Sequence, residues 1–107
     1  MNLFEERKDN FEAAFAHNEE LRFKATARRN RMLGMWAAEK LGKVGADGDR
    51  YAETVVSADI EGTGDDRVFR KVRDDFDLAG VRQSDHQIRR TMDEFLSKAV
   101  QDLKSGR

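Results

Sequence analysis

The residues of this chain best suited to bind an anionic ligand are three arginines in the run Arg28-Arg29-Asn30-Arg31. A guanidinium group pairs with a phosphate or a carboxylate through two parallel hydrogen bonds. The run therefore suggests a small helical module that binds nucleotide or nucleic acid through Arg28, Arg29 and Arg31. Such a module is expected to carry excess positive charge, whereas this chain has 20 Lys and Arg against 21 Asp and Glu.

The alternative role for the arginine run is ion pairing within the protein itself. Acidic residues further along the chain provide the candidate partners, namely Asp74, Asp75, Asp77 and the stretch 59–66. Because positive and negative side chains are almost equal in number, the overall charge favours this second interpretation.

The acidic stretch 59–66 has the oxygen-bearing side chains of a calcium loop without its spacing. An EF-hand loop needs glycine at position 6 and a bidentate glutamate at position 12. Counted from Asp59, position 6 is Gly64 but position 12 is Arg70. The glycines Gly62 and Gly64 also lack the third glycine of a dinucleotide-binding loop. The stretch is therefore predicted to be a solvated turn that supplies helix caps.

No group of residues in the sequence has the pattern of a catalytic or metal site. The chain contains no cysteine, which excludes thiolate metal sites, disulfides and cysteine nucleophiles. The two histidines, His17 and His86, fall on different predicted elements, and neither has a partner at metal-ligand spacing. No hydroxyl nucleophile has an evident activating base. We therefore expect a protein that is not an enzyme and that uses no cofactor or metal.

Apolar residues at helical spacing predict four helices, separated by glycines in a chain without proline. The first spans residues 21–44, and Gly34 within it suggests close packing against a neighbouring helix, because glycine costs about 1 kcal/mol there relative to alanine. The predicted core-facing residues of the four helices are Leu21, Ala25, Met32, Leu33, Trp36, Ala37, Leu41 and Val44; Tyr51, Ala52, Val55, Val56 and Ile60; Val68, Phe69, Val72, Phe76 and Ala79; and Ile88, Met92, Phe95, Leu96, Ala99 and Leu103.

Polar residues before the apolar residues of the second, third and fourth helices predict where these helices begin. Asp47 or Asp49 is expected to cap the second helix, and Asp65 or Asp66 is expected to cap the third. The clearest signal is Ser84 with Gln87 three residues later, which has the form of a capping box. Gly80 is expected to end the third helix.

These elements favour an all-α fold, a small four-helix bundle within a single domain of 107 residues. The mean hydropathy is −0.82, and the longest uncharged apolar run, residues 32–38, is about a third of the length that a membrane span needs. The first ten residues lack the apolar core of a signal peptide. The expected location is the cytoplasm.

The first eighteen residues differ from the rest. Leu3, Phe4, Phe11 and Phe15 recur at helical spacing, but the residues between Phe4 and Phe11 are all polar. An isolated helix of this length is marginal in water. This amphipathic segment therefore either docks on the bundle or waits for a partner, for which its phenylalanines would be the anchors.

A long and unusual pattern extends through residues 11–24 (FEAAFAHNEELRFK) and 27–38 (ARRNRMLGMWAA). Shorter patterns follow at Tyr51-Ala52, at Val55-Val56-x-Ala58-Asp59, and at Gly64-Asp65-Asp66 before Val68-x-Arg70-Lys71-Val72. Over nearly the whole chain the sequence resembles the zeta subunit, the inhibitor of the alphaproteobacterial F-type ATP synthase.

The resemblance implies a mobile inhibitory segment at residues 1–18 and a four-helix bundle at residues 19–107. It further implies an inhibitor of ATP hydrolysis whose segment inserts at the catalytic interface of the alpha, beta and gamma subunits and blocks rotation in the hydrolysis direction. The protein is then expected at the inner membrane only through the synthase. Carried over by position, the expected partner-binding residues are Leu3, Phe4, Arg7, Phe11, Glu12, Phe15 and His17.

Two residues depart from the family's pattern. This chain has Ala14 where lysine is frequent and Asn18 where aspartate is usual. Loss of these charges is expected to affect inhibitory potency, or its dependence on pH, rather than the fold. His17 is a candidate for such a pH response, the alternative being a surface residue with no such role.

Overall fold

A computed structural model of the chain describes residues 18–59 and 64–106. Within these two ranges the chain forms four helices and no strand: α1 (Glu19–Lys40), α2 (Gly45–Ala58), α3 (Asp65–Ala79) and α4 (Asp85–Lys104). The long helix α1 packs most extensively against α2 and then against α4. The predicted all-α four-helix bundle is confirmed. No helix in the described ranges is both long enough and apolar enough to cross a lipid bilayer.

Two helix starts use side-chain caps. The Asn18 side-chain oxygen accepts a hydrogen bond from the backbone N–H of Leu21, at 3.1 Å, and so begins α1. At the start of α4, the Gln87 N–H donates to Ser84 Oγ at 3.0 Å, and the Ser84 N–H donates to Gln87 Oε1 at 2.8 Å. The capping box predicted for α4 is therefore confirmed.

The predicted caps of α2 and α3 are wrong. Helix α2 begins at Gly45, before Asp47 and Asp49, and its N-cap Val44 forms no side-chain cap hydrogen bond. Helix α3 has Gly64 as its N-cap, so the aspartates that follow lie in its first turn. Carboxylates there still stabilise the helix, because they face the positive end of its dipole.

The core draws on all four helices. Its largest fully buried apolar side chains are Phe76, Leu33, Ile88, Val55, Val68 and Val72. Trp36 is half-buried at the edge of the core, where its ring meets that of Phe76 edge-on with 5.6 Å between centroids. Val44 and Ala79 were predicted to face the core but are exposed, because they stand at the N-cap of α2 and the last residue of α3.

At Gly34 the backbone of α2 lies very close to α1. A Cβ atom at this position would come within 2.6 Å of the Ala52 Cα and within 3.1 Å of the Ala52 carbonyl oxygen. No side chain fits in that space without moving backbone. The close packing predicted from Gly34 is confirmed. Gly80 adopts φ +69° and ends α3, also as predicted.

Candidate functional site

The first candidate site is the arginine run, and its central member is used inside the protein. Arg29 is only 2% exposed. Its Nη2 donates to Asp65 Oδ1 at 2.6 Å, and its Nε donates to the side-chain oxygen of Asn30 at 2.8 Å. Arg29 therefore ties α1 to the first residue of α3.

Asn30 extends this arrangement to the end of α2. Its Nδ2 donates to Asp59 Oδ2 at 3.0 Å, while Asp59 Oδ1 accepts the backbone N–H of Gly64 at 2.8 Å. We call Arg29, Asn30, Asp59 and Asp65 the polar clasp, because α1 uses it to hold both ends of the α2–α3 connection. In the described part of the chain no buried side-chain nitrogen or oxygen is left without a partner.

The two outer arginines lie in different surroundings. Arg31 is exposed and its Nη1 donates to Glu53 Oε1 on α2, at 2.6 Å. Arg28 is half-buried and forms no ion pair with any described residue. Carboxylates therefore already pair with two of the three arginines, and the described geometry gives little support to a shared phosphate-binding surface.

The predicted intramolecular partners of the arginines are confirmed in part. Asp65, the partner of Arg29, belongs to the acidic stretch 59–66. Asp75 instead pairs with Lys71 at 2.9 Å, and Asp77 pairs with Arg73 at 2.7 Å. The sequence analysis did not anticipate the role of Asn30, although a signal existed: asparagine is unfavourable inside a helix and so indicates a specific hydrogen bond.

Tyr51 and Asp75 form a second polar contact, between α2 and α3. The Tyr51 hydroxyl donates to Asp75 Oδ2 at 2.8 Å, and Lys71 Nζ lies 5.3 Å from the centre of the tyrosine ring. Burial and the neighbouring carboxylate raise the pKa of Tyr51 well above its ordinary value. No group of three or more His, Cys, Asp or Glu side chains is placed to hold a metal ion in the ranges 18–59 and 64–106.

The second candidate site, the N-terminal segment, lies outside the described residues. This applies to every residue that the family resemblance nominated: Leu3, Phe4, Arg7, Phe11, Glu12, Phe15 and His17. The first described residue is Asn18, which caps α1 with its own side chain. Asparagine and aspartate cap helices about equally well, so the departure at Asn18 preserves the start of α1.

An apolar groove lies between α1, the α1–α2 connection and α4. It has a volume of about 500 Å³, and its apolar lining comes mainly from Met32, Met35, Trp36, Val44 and Phe95. Met35 is 41% exposed and Val44 is 79% exposed. Met32, Trp36, Val44 and Phe95 were all predicted to face the core. Trp36 and Phe95 do pack against it and also line the groove, whereas Val44 is exposed.

Comparison with known proteins identifies a family and a similar solved structure. A family model described as ATPase inhibitor subunit zeta matches residues 1–102. A protein solved in solution by NMR is 37% identical, with a TM-score of 0.69, over 81% of this chain and 99% of its own. A search of curated proteins found no match.

Proposed function

This chain belongs to the ATPase inhibitor subunit zeta family, and from that premise we propose how it inhibits. The family implies that the partner is an ATP synthase and that the protein acts by binding, as a regulator. We propose that residues 1–18 are the inhibitory segment and that the bundle, residues 19–107, carries it. In this proposal the protein is cytoplasmic and reaches the inner membrane only through the synthase.

The observation that supports this division is the start of α1, where the described bundle begins. All the residues of the described core cluster lie on α1 to α4 or in their connections. Asn18 caps α1 with its own side chain. This start at Asn18 supports treating the residues before α1 as a functional segment distinct from the bundle.

We propose that the segment binds the catalytic sector as an amphipathic helix. Its apolar anchors are Leu3, Phe4, Phe11 and Phe15, and its polar contacts are Arg7, Glu12 and His17. Phe11 and Phe15 are one helical turn apart, and Phe4 lies seven residues before Phe11, so the three rings share one face of a helix. A helix with such anchors is suited to a groove between subunits.

Insertion of this helix at the interface of the alpha, beta and gamma subunits would block rotation in the hydrolysis direction. A wedge of this kind acts on turnover, because the catalytic interface must open and close in each cycle. Rotation in the synthesis direction would displace the wedge. The proposal therefore requires inhibition to be unequal in the two directions.

The direct test is to add the purified protein to its cognate ATP synthase in sealed vesicles. We expect ATP hydrolysis to slow as protein is added, with a smaller effect on ATP synthesis driven by a proton gradient. Equal inhibition in both directions would contradict the one-way mechanism, and no effect on hydrolysis would contradict the proposed function as a whole.

The residue-level test replaces Phe11 and Phe15 together by alanine. Each buried phenylalanine contributes roughly 1.5–3 kcal/mol, so the double variant should inhibit at least about a hundredfold less well. Phe23→Ala is the matched control, since Phe23 is an aromatic residue of α1 that is 59% exposed. Thermal unfolding of both variants should resemble that of the parent protein. A double variant that inhibits normally, or that unfolds far earlier, would remove Phe11 and Phe15 from the inhibitory site.

A further inference from the structure

The apolar groove defined above has no occupant among the described residues. Four large hydrophobic side chains are exposed in the described part of the chain, and two of them, Met35 and Val44, line this groove. Single exposed apolar residues are ordinary, but their convergence with Met32, Trp36 and Phe95 on one concave surface is typical of a docking site.

We propose that Leu3 and Phe4 of the same chain dock in this groove while the protein is free, in equilibrium with a released state. This inference rests on the proposed function, because the docked residues are anchors of the inhibitory segment. It adds regulation to that function, because Leu3 and Phe4 would be unavailable to a synthase while they are docked in the groove.

The length of the chain before Asn18 supports this occupant. Asn18 is fixed at the start of α1. Phe4 precedes Asn18 by fourteen residues, and Met32 follows it by fourteen. At a rise of about 1.5 Å per residue both distances are about 21 Å, so a helical hairpin turning near Asn18 brings Phe4 alongside Met32. In extended form the same fourteen residues span up to about 50 Å, so a non-helical segment also reaches the groove.

The chemistry of the groove matches the side chains that would enter it. Met32 and Met35 are flexible and polarisable, and methionine sulfur makes favourable contacts with aromatic rings such as that of Phe4. A tethered ligand also has an advantage over a free one, since a short linker gives an effective concentration of millimolar order. Even a weak contact between Phe4 and the groove is therefore populated.

Docking would lower the apparent affinity for the synthase by the fraction of molecules that is released. If about two thirds of the free protein is docked, emptying the groove should improve inhibition about threefold. Substitutions in the groove should therefore change the inhibitory potency without changing Leu3 or Phe4.

A spin label tests docking directly and independently of inhibition. The chain has no cysteine, so Asn2→Cys gives a single attachment site for a nitroxide. We expect the label to broaden the methyl resonances of Met32 and Met35 more strongly than those of Leu21, although Leu21 is much nearer in sequence. Broadening centred on Leu21 would overturn the proposal. Broadening only between labelled and unlabelled molecules in a mixture would replace it with a second copy as the occupant.

The groove variant Met35→Glu tests the regulatory consequence, with Phe23→Glu as the matched control. Met35→Glu should abolish broadening at Met32 and improve inhibition of hydrolysis about threefold, whereas Phe23→Glu should do neither. Loss of broadening without a gain in potency would overturn the regulatory role. If the spin label shows docking but no form of the protein inhibits hydrolysis, the proposed function fails while docking stands.

Discussion

Helix α1 is packed differently on two sides, and four consecutive residues show the contrast. Leu33 and Gly34 are buried, and the backbone of α2 approaches Gly34 so closely that no side chain fits. Met35 and Trp36 follow directly but line an open groove. The side of α1 that faces α2 is specified by close backbone packing and by paired polar groups. The side that faces the groove leaves apolar side chains partly exposed. One helix therefore combines a closely packed face with a face that borders an open apolar groove.

Truncating an apolar side chain on each side of α1 should give the largest difference in the free energy of unfolding. Leu33→Ala should lower the free energy of unfolding by about 2–5 kcal/mol, because it removes a fully buried side chain and leaves a cavity. Met35→Ala should change it by about 0.5 kcal/mol or less. Thermal unfolding followed by circular dichroism should show a fall of at least about 8 °C for the first variant. Similar falls for both would mean that the groove is part of the core.

The polar clasp allows the same comparison for charged residues two positions apart. Arg29→Met should cost about 1–3 kcal/mol, because it leaves the side-chain oxygen of Asn30 buried without its donor. The freed carboxylate of Asp65 is 63% exposed and stays hydrated. Arg31→Met should cost about 0.5 kcal/mol or less, since its ion pair with Glu53 is exposed. Denaturant unfolding measures the loss of stability in both variants. Equal losses would mean that the polar clasp stabilises the fold no more than the exposed ion pair of Arg31 does.

Gly34→Ala tests whether the side of α1 that faces α2 is limited by backbone contact. The added methyl should cost about 1–3 kcal/mol in displaced structure, offset by about 1 kcal/mol of improved helix propensity. We expect a net loss of about 1–2 kcal/mol in the free energy of unfolding. Adding Ala52→Gly should not restore stability, because the Ala52 Cα and carbonyl oxygen remain within 2.6 Å and 3.1 Å of the new methyl. Recovery in the double variant would place the conflict in the Ala52 side chain instead.

Local signals explain why much of the fold could be predicted from the sequence. Ser84 and Gln87 complete their capping box with each other, so four consecutive residues contain the whole cause. Gly34 was also readable, since a glycine inside an apolar helical stripe needs a packing reason. By contrast, the backbone N–H of Gly64 donates to Asp59, and Arg29 donates to Asp65. Such partners depend on how the helices are arranged.

The candidate site was harder to predict for the same reason. A run of arginines has the same appearance in a sequence whether its carboxylate partners lie in the same chain or in a ligand. Only the packing of α1 on the α2–α3 connection separates buried Arg29 from exposed Arg31. Helical periodicity placed Met32 and Trp36 on an apolar stripe but could not show which part of that stripe a neighbouring helix covers.

The smallest expected change in the free energy of unfolding concerns the contact between α2 and α3, where Tyr51 is paired with Asp75. Tyr51→Phe should lower the free energy of unfolding at neutral pH by about 1 kcal/mol, because it removes one hydrogen bond. Asp75 keeps its ion pair with Lys71, so no buried charge is stranded.

Alkaline pH should reverse the order of stability of these two proteins. Burial and Asp75 raise the pKa of Tyr51 in the folded state, so the stabilisation is complete below the unfolded value of about 10 and is lost as pH rises. Above about pH 10 the unfolded chain loses a proton that the folded chain retains, and the parent protein loses about 1.4 kcal/mol per pH unit relative to Tyr51→Phe. The two should be equally stable near about pH 11. Because Tyr51 is the sole tyrosine, the difference between paired denaturant titrations of the two proteins reports on this group. A difference that stays constant from pH 8 to 11 would show that Tyr51 ionises as readily in the folded protein as in the unfolded chain.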